Sequence, residues 1–296
     1  MVESKRPVDV FVDVLIYVVL VVACFLCLVP LLNTLALSFS SSVMASSGTV
    51  SFWPKQFTLA AYEAIVGEKQ FFGAFWISVK RVVLGGAINF LMMVLCAFPL
   101  AHNEKAFRGR NVYMYVLIFT MLFSGGLVPT YIIVGKMGLM NTIWALILPG
   151  AVPVWNCILL MNFFRSLPDE LEEAAIIDGA VPIQILVKIY LPVSLPSLAT
   201  VMLFCLVGHW NEFFSGLIYM NHSDNYPLAT YISTIVDSAK DLNLITDPEE
   251  IERIMKVSER NMSSAKIFVS MIPILVIYPF LQRYFVKGIV LGSVKG

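Results

Sequence analysis

The sequence predicts an all-α integral membrane protein with six transmembrane helices. Of its 296 residues, 58% are hydrophobic and only 14% are charged, and the mean hydropathy is +0.82. A soluble domain has roughly 45–50% apolar and about 25% charged residues, so the polar groups here are too few to cover a surface in water. The chain also contains six apolar runs of the length that crosses a bilayer core, about 20 residues each.

These six runs divide the chain into spans and connections. The predicted spans are about 12–38, 74–100, 112–134, 143–164, 197–220 and 265–286. The first is longer than the roughly 7–15 residues of a signal-peptide core, so we interpret it as a retained helix. The larger connections are 39–73, 165–196 and 221–264. In the last of these, the spacing of Ile251, Ile254 and Met255 predicts a short amphipathic surface helix.

The charge distribution does not orient the six helices. An even number of spans places both termini on one side, together with the connections 101–111 and 165–196. Half of the 20 basic residues fall in these segments and half elsewhere, so the positive-inside rule gives a tie. The orientation therefore has to come from another feature.

The connection 165–196 begins like a helix outside the membrane. Ser166 and Asp169 form a box-like capping signature, and Pro168 is tolerated in a first turn. Acidic residues at 169, 170, 172 and 173 favour the positive end of the helix dipole. A first helix is therefore predicted shortly after Ser166.

The same connection then turns and starts again. Gly179 allows a left-handed stop, and Pro182 can open a second short helix. Leu191-Pro192 and Leu195-Pro196 are predicted to break the chain before the fifth span. These signals predict a helix–turn–helix elbow in which Gly179 sets the angle between the two arms.

The elbow contains Glu173-Ala174-Ala175, then Gly179, Ile189 and Leu191-Pro192. This spacing resembles the EAA loop of permeases in binding-protein-dependent ATP-binding-cassette (ABC) importers. That loop reads Glu-Ala-Ala, three residues, Gly, nine residues, Ile, one residue, Leu-Pro. With residue frequencies of roughly 5–10%, a chance match at all seven positions is on the order of 10⁻⁸ per starting position. The resemblance implies a type I ABC importer permease fold in which this cytoplasmic coupling loop contacts the ATPase. The implied coupling residues are Glu173, Ala174, Ala175, Asp178, Gly179, Ile189, Leu191 and Pro192.

Other strings resemble a narrower group of permeases. Gly208-His209-Trp210-Asn211 and the ending from Tyr278 to Gly288 are similar to sugar importers of the maltose-transporter type, and among these to permeases for fragments of polysaccharides such as pectin or alginate. The resemblance implies import of oligosaccharides by alternating access across the bacterial cytoplasmic membrane. It implies as partners a second homologous permease, a dimer of ATPase subunits, an extracytoplasmic solute-binding protein and membrane lipid. Both termini and 165–196 are then expected in the cytoplasm, and 221–264 outside it.

Polar and aromatic side chains inside the spans are candidates for the substrate path. These candidates are His209, Trp210, Asn211, Glu212, Trp155, Asn156 and Arg81. Trp can stack on the apolar face of a sugar, and intramembrane polar groups usually face a partner or a water-filled cavity. For the side chains of the fourth and fifth spans, the alternative is bonding between helices. For Lys80-Arg81, the alternatives are snorkelling to the interface and attraction of an anionic, uronic-acid sugar.

Other function classes find little support in the sequence. The net charge is zero, without the basic excess of proteins that bind nucleic acid. The pattern Gly-x4-Gly-Lys-Ser/Thr is absent, and Gly135-Lys136-Met137 lacks both the upstream glycine and the hydroxyl, so ATP and Mg are expected on a separate ATPase subunit. Because no metal-spaced ligand set or nucleophile–base constellation occurs, we expect no cofactor, no metal and no enzyme activity in this chain.

Three alternatives to sugar import stay open at this point. The first is an ABC importer permease for another solute, such as a glycerol phosphate ester. The second is a non-transporting membrane scaffold or intramembrane enzyme. The third is a secondary transporter, which would continue uptake without an ATPase and stop when the ion gradient collapses.

Overall fold

The chain is helical throughout the part that the structure describes. The computed structural model describes residues 7–103, 107–241 and 260–293, and no strand occurs in these ranges. The helices are α1 (Pro7–Ser38), α2 (Ser42–Ser46), α3 (Ala60–Gly67), α4 (Lys69–Ala101), α5 (Arg110–Leu122), α6 (Leu127–Lys136), α7 (Ile143–Ile147), α8 (Val154–Arg165), α9 (Asp169–Ile177), α10 (Pro182–Ile185), α11 (Leu191–Val193), α12 (Leu195–Asn211), α13 (Phe214–Tyr219), α14 (Leu228–Asp241) and α15 (Arg260–Ser293). The predicted all-α class is confirmed.

Three helices are each long and apolar enough to cross a membrane without a break. They are Val10–Ser38 of α1, Lys69–Ala101 of α4 and Arg260–Pro279 of α15. Three bent pairs of helices pass the same test together: α5 with α6, α7 with α8, and α10–α11 with α12. Counting each pair as one span gives up to six spans within the described residues.

The prediction of a single helix over 112–134 is wrong. Residues 123–126 interrupt it, and the axes of α5 and α6 differ by 111°. Gly126 has a φ of +83°, a conformation that glycine adopts because it has no Cβ to clash with the backbone. The apolar run alone does not reveal this bend, although Gly125-Gly126 marks its place.

The predicted spans 143–164 and 197–220 are also discontinuous. The first bends by 47° between α7 and α8, where Pro149 and Pro153 remove N–H donors from the helical ladder. The second ends as a helix at Asn211, and α13 begins at Phe214. Each of these runs therefore contains two helices instead of one.

The predicted connection 221–264 contains more helix than its composition suggested. Helix α14 occupies Leu228–Asp241, and α15 already begins at Arg260. The amphipathic helix predicted around Ile251 lies outside the described residues. The polar residues within the sequence of α14 explain why a search for fully apolar runs missed this helix.

The chain forms two compact units, and the smaller contains the connection that follows α1. It comprises the described residues of Met1–Lys69 and Thr234–Met271. Its buried apolar residues include Ala36, Leu37, Ala45 and Val50. A buried lysine, Lys266, lies with Nζ 2.8 Å from Oε2 of Glu68. This ion pair ties the start of α15 to the end of the 39–69 segment.

The larger unit contains the main core and comprises the described residues of Gln70–Ser233 and Ile272–Gly296. Helices α4, α8 and α12 pack there together with the helices that follow α8. The buried core residues are Met93, Val94, Ala97, Leu100, Cys157, Leu160, Met161, Phe164, Ala175, Ile185, Leu186, Tyr190, Leu198, Val201 and Cys205. The predicted elbow is thus packed directly onto the spans, so a displacement of one must be felt by the other.

Replacing Gly216 by alanine is expected to destabilise this unit by about 2 kcal/mol through overpacking. A Cβ at Gly216 would lie 2.0 Å from Oγ1 and 2.9 Å from Cβ of Thr230. Thr230 is fully buried and donates its hydroxyl to the carbonyl of Phe213 at 2.7 Å, so it cannot move aside freely. Thermal unfolding of the purified protein in detergent measures the effect.

Gly73 is the matched control for this substitution. It also lies within a helix, but a Cβ there would meet no atom within 4 Å. Gly73→Ala is therefore expected to leave the unfolding temperature unchanged or to raise it slightly, because alanine favours the helix. An equal loss of stability in both variants would contradict the packing explanation.

Candidate functional site

The first arm of the elbow is helix α9, and it begins without the predicted cap. The Oγ of Ser166 donates to the carbonyl of Phe163 at 2.7 Å, whereas the N-cap position is held by Pro168, which makes no side-chain cap bond. The prediction that Ser166 caps the helix is wrong, because the preceding helix offers its hydroxyl a nearer acceptor. The acidic first turn of α9 still lies at the positive end of the dipole, as expected.

Gly179 closes this arm with a left-handed turn, as the sequence predicted. Its φ is +76°. Its N–H donates to the carbonyl of Ile176 at 3.0 Å, and the N–H of Ala180 donates to that of Ala175 at 2.9 Å. This is the Schellman pattern that ends a helix with glycine in the left-handed region. The turn therefore has one defined geometry, and it fixes the direction of the second arm.

The second arm opens at Pro182 and stays helical past the predicted break. A π-helical segment, Leu186–Tyr190, leads into α11 at Leu191–Val193. The expectation that Leu191-Pro192 breaks the chain is wrong, because the wider π turn accommodates a residue without an N–H. The expected break at Leu195-Pro196 is correct, since the axis turns by 84° between α11 and α12. We call residues 169–193 the elbow from here on.

The eight predicted coupling residues divide between the two faces of the elbow. Ala175 is buried in the core, and Ile189 and Leu191 pack against that core. The others are exposed: Glu173, Ala174, Asp178, Gly179 and Pro192. The spacing thus combines positions that attach the elbow with positions that it presents outward.

The outward face also carries bulky apolar side chains. Ile177 is 86% exposed, and Ile176, Val181 and Ile183 are each at least half exposed. These residues flank the Gly179 turn at the tip of the elbow. Exposed clusters of this kind mark surfaces that bind another protein or a membrane.

Glu172 holds the elbow from its inner side, and the sequence analysis did not single it out. Its Oε1 lies 2.8 Å from Nε2 of His102, which follows the end of α4. Its Oε2 accepts a hydrogen bond of 2.7 Å from the hydroxyl of Tyr190 in the second arm. One carboxylate therefore connects both arms of the elbow to α4.

Aromatic packing supports the same junction. The ring of Tyr190 meets those of Phe98 and Phe164 edge to face, at centroid distances of 5.0 and 5.3 Å. Burial, with the carboxylate of Glu172 beside it, raises the pKa of Tyr190 above its usual range. Tyr190 therefore stays protonated and remains a donor to Glu172. No local sequence pattern reveals the contact between His102 and Glu172, because these two residues are 70 positions apart in the chain.

Arg81 and Glu212 of the predicted substrate path form an ion pair inside the larger unit. Arg81 is only 3% exposed, and its Nη2 lies 2.6 Å from Oε2 of Glu212. The same guanidinium donates to the carbonyls of Glu212 and Leu146 and to the hydroxyl of Ser215. The snorkelling interpretation does not describe Arg81, whose side chain points into the protein.

Glu212 lies where α12 ends, and its carboxylate organises the break before α13. It accepts hydrogen bonds from the N–H and the hydroxyl of Ser215. The Arg81 guanidinium therefore satisfies carbonyls and a carboxylate that a broken helix would leave without partners. The pair joins α4, α7 and the α12–α13 break at one point.

His209 and Trp210 also make contacts between helices. Nε2 of His209 lies 2.7 Å from Oδ1 of Asn89 in α4. Asn89 in turn donates to the carbonyls of Gly150 and Ala151, each at 2.9 Å. Trp210 is buried, with its ring edge to face against Phe75 at 5.7 Å. This geometry corresponds to the helix-bonding alternative for both residues.

The remaining predicted path residues differ in exposure. Nδ2 of Asn156 lies 3.1 Å from Sγ of Cys205, and both residues are buried. Trp155 is 62% exposed, and Asn211 is also exposed. Among the seven candidates, Trp155 and Asn211 are thus the two that are exposed as whole residues.

Ligands for a metal are not gathered anywhere in residues 7–103, 107–241 and 260–293. No group of three or more His, Cys, Asp or Glu side chains lies close enough there to hold an ion. The polar sites found in this part of the chain hold helices together. What the arrangement offers is a set of broken spans with a helical elbow packed against them.

The described residues thus form a helical protein whose candidate spans are broken and packed against a helical elbow. Residues 70–291 match the family described as the binding-protein-dependent transport system inner membrane component. The chain belongs to this family, so it is a membrane transport component and not an enzyme. The match covers the spans from α4 onward and the whole elbow.

Relatives and a solved structure agree with this assignment. The chain is 37% identical to the polygalacturonan/rhamnogalacturonan transport system permease protein YtcP of Bacillus subtilis, over 96% of this chain and 98% of the relative. It is 39% identical to protein LplC of the same organism, over 91% and 90%. A crystal structure of a bacterial ABC transporter involved in the import of the acidic polysaccharide alginate matches with a TM-score of 0.84 at 27% identity, covering 95% of this chain and 99% of that one.

Proposed function

We propose that this chain is the permease subunit of an ABC importer that moves oligosaccharides, fragments of polysaccharides such as pectin or alginate, into the cell. Polygalacturonan and rhamnogalacturonan name the transport system of one relative, and alginate names that of the structural neighbour. Galacturonan chains contain a uronic acid and alginate is an acidic polysaccharide, so their fragments share hydroxyls, ring faces and carboxylates. The family membership supports the class of transport, and these names support the substrate class.

The elbow is the observation that carries the mechanism of this proposal. Its tip exposes Ile177 and its neighbours, while Ala175 and Glu172 attach it to the spans. A surface that is apolar outside and rigidly held inside can dock in a cleft of another subunit and pass on its movement. The partner we propose is a dimer of ATPase subunits that binds the ATP and Mg. The elbow and both termini then lie in the cytoplasm, and 221–264 lies outside.

A second, homologous permease is the proposed partner within the membrane. Among the described residues of its own unit, none buries the most apolar part of Val10–Ser38 in α1. A second permease would supply helices against which this span can pack, and two elbows would match the two sites of an ATPase dimer. The family description already implies a binding protein, and we propose that it delivers the sugar from the extracytoplasmic side.

The sugar path is proposed to run past the exposed candidates. Trp155 has an exposed indole face that can stack on a pyranose ring. Asn211 has an exposed amide that can form hydrogen bonds with the hydroxyls of the sugar. The other five candidates, His209, Trp210, Asn156, Glu212 and Arg81, hold the walls of this path in place through their contacts with one another and with neighbouring helices. Alternating access would arise as the elbow moves these walls.

Uptake into proteoliposomes tests the proposal. The chain is reconstituted with its second permease, the ATPase and the binding protein, and labelled oligogalacturonate is offered outside with ATP at the elbow side. ATP-dependent accumulation of the oligosaccharide is the expected result. Uptake of glycerol phosphate esters alone would overturn the substrate class. Uptake driven by an ion gradient without the ATPase would overturn the mechanism.

Replacing Gly179 by valine is expected to reduce ATP-driven uptake by about 5–30-fold. A residue with a Cβ in the left-handed region costs about 1–2 kcal/mol, which corresponds to that factor, and the turn at φ +76° would relax and misdirect the tip. Gly138 is the matched control, since its φ is +68° and it too has open space around a Cβ. Equal loss in Gly138→Val would show general strain and contradict a role of the elbow.

A further inference from the structure

The loop 50–58 is folded back along the outer end of α1. Nδ2 of Asn33, inside the helix, donates to the carbonyls of Val50 at 3.3 Å and Ser51 at 2.8 Å. Asn33 lies five residues before the end of α1 at Ser38. The loop therefore begins level with the last turns of the helix, instead of rising above them.

Further bonds keep the rest of the loop at the same level. The N–H of Ser41 donates to the carbonyl of Lys55 at 3.3 Å, and the N–H of Lys55 donates to Oγ of Ser40 at 3.0 Å. The N–H of Thr58 donates to the carbonyl of Phe39 at 3.0 Å. The loop is thus attached at both ends to residues 33–41, and its depth in the membrane follows theirs.

The length of α1 places residues 33–41 at the surface of the bilayer. The apolar stretch Val10–Ser38 has 29 residues and is therefore about 44 Å long. The hydrocarbon core is about 30 Å thick. The difference leaves about 7 Å, or roughly five residues, in the headgroup region at each end of a centred helix.

The side chains of the loop have the chemistry of that region. Trp53 is 82% exposed, Phe57 is 66% exposed, and Phe52 and Lys55 are exposed beside them. Indole rings favour the membrane–water boundary because they combine a large apolar face with an N–H donor. Three exposed rings within residues 52–57 form an apolar patch, and such patches mark contacts with a membrane or with another protein.

We propose that loop 50–58 is a membrane-interface anchor. The rings of Phe52, Trp53 and Phe57 insert among the headgroups and upper acyl carbons of the leaflet in which α1 ends. Lys55 pairs with lipid phosphate at the same level. The anchor fixes the depth of α1 and of the connection that follows it, and it does not depend on which solute the protein transports.

Depth-resolved fluorescence of the full-length protein in nanodiscs tests the anchor. The nanodiscs contain phosphatidylcholine and phosphatidylglycerol, either plain or with bromine atoms near the top of the acyl chains. The difference in emission between the wild type and Trp53→Phe reports Trp53 alone among the five tryptophans. We expect this difference spectrum to be blue-shifted, quenched at least twofold by the brominated lipid, and little affected by iodide in the buffer.

Two results would overturn the proposal. Quenching of the difference spectrum by iodide and not by brominated lipid would place the loop in water. A change only when a solute-binding protein is added would identify the loop as a docking surface for that protein. Lys55→Glu gives a second readout that keeps Trp53 in place: lipid quenching should fall in both anionic and purely zwitterionic nanodiscs, and further in the anionic ones, where the new carboxylate is also repelled by the net charge of the surface.

Discussion

Replacing Arg81 by methionine is expected to destabilise the protein by about 3 kcal/mol, the low end for breaking a buried ion pair. The substitution leaves the carboxylate of Glu212 without its cation at the end of α12, and it removes the hydrogen bond from Arg81 to the carbonyl of Leu146. The low end applies because the side chain of Glu212 is 37% exposed and keeps some contact with water. Thermal or denaturant unfolding in detergent measures the loss.

Lys80 provides the control, because it is a cation on the same helix turn that is exposed. Its Nζ lies 5.9 Å from the ring centroid of Trp76, and Lys80→Met is expected to cost less than about 1 kcal/mol, as for other exposed cation–π contacts. Combining Arg81→Met with Glu212→Gln removes both charges and should recover a substantial part of the lost stability. Purely additive effects would show that the two residues do not act as a pair.

Replacing Glu172 by alanine is expected to loosen the elbow and to separate ATP hydrolysis from sugar uptake. The change removes the shared acceptor of His102 and Tyr190, and hydrogen bonds to a charged group contribute about 1.5–3 kcal/mol. Amide hydrogen exchange in residues 169–185 should accelerate by roughly 10–100-fold, which corresponds to about 1.4–2.7 kcal/mol. Uptake per ATP hydrolysed should fall, while the complex still assembles through the exposed tip.

Glu170 is the control for charge and helix position. It lies in the same acidic first turn of α9 but is exposed, so Glu170→Ala should leave both hydrogen exchange and uptake close to those of the wild type. Glu172→Gln retains one acceptor oxygen and should give an intermediate effect. If Glu172→Ala changed uptake without changing exchange in the elbow, Glu172 would act at the ATPase and not by positioning the elbow.

Local signals predicted the elbow well because its geometry is largely local. The left-handed turn needs glycine at 179. Pro182 lies at the start of the second arm, where the helix does not need a backbone N–H. Both predictions are confirmed. The errors at Ser166 and Leu191-Pro192 arose where a second local solution existed: a carbonyl of the preceding helix for the hydroxyl, and a π turn for the proline.

The span breaks were harder to predict, since an apolar run gives length but not direction. Gly125-Gly126 and the prolines near 149 and 153 were visible, yet whether such residues bend a span depends on what can satisfy the freed backbone groups. At the end of α12 that role falls to Arg81, which lies 131 residues away from Glu212. At the α7–α8 break it falls to Asn89.

The sequence by itself determined that the chain is an α-helical membrane protein, which family it resembles, and where the elbow turns. Composition, the length of apolar runs and the conformational freedom of glycine depend on single residues or on neighbours in the chain, so they can be read from the sequence. Only the tertiary structure decided that Arg81 is paired, that Glu172 joins both arms of the elbow to α4, and that the loop 50–58 is hydrogen-bonded to Asn33 of α1. These are contacts between residues far apart in the chain or on opposite sides of a turn, and their energy depends on burial that no sequence pattern records.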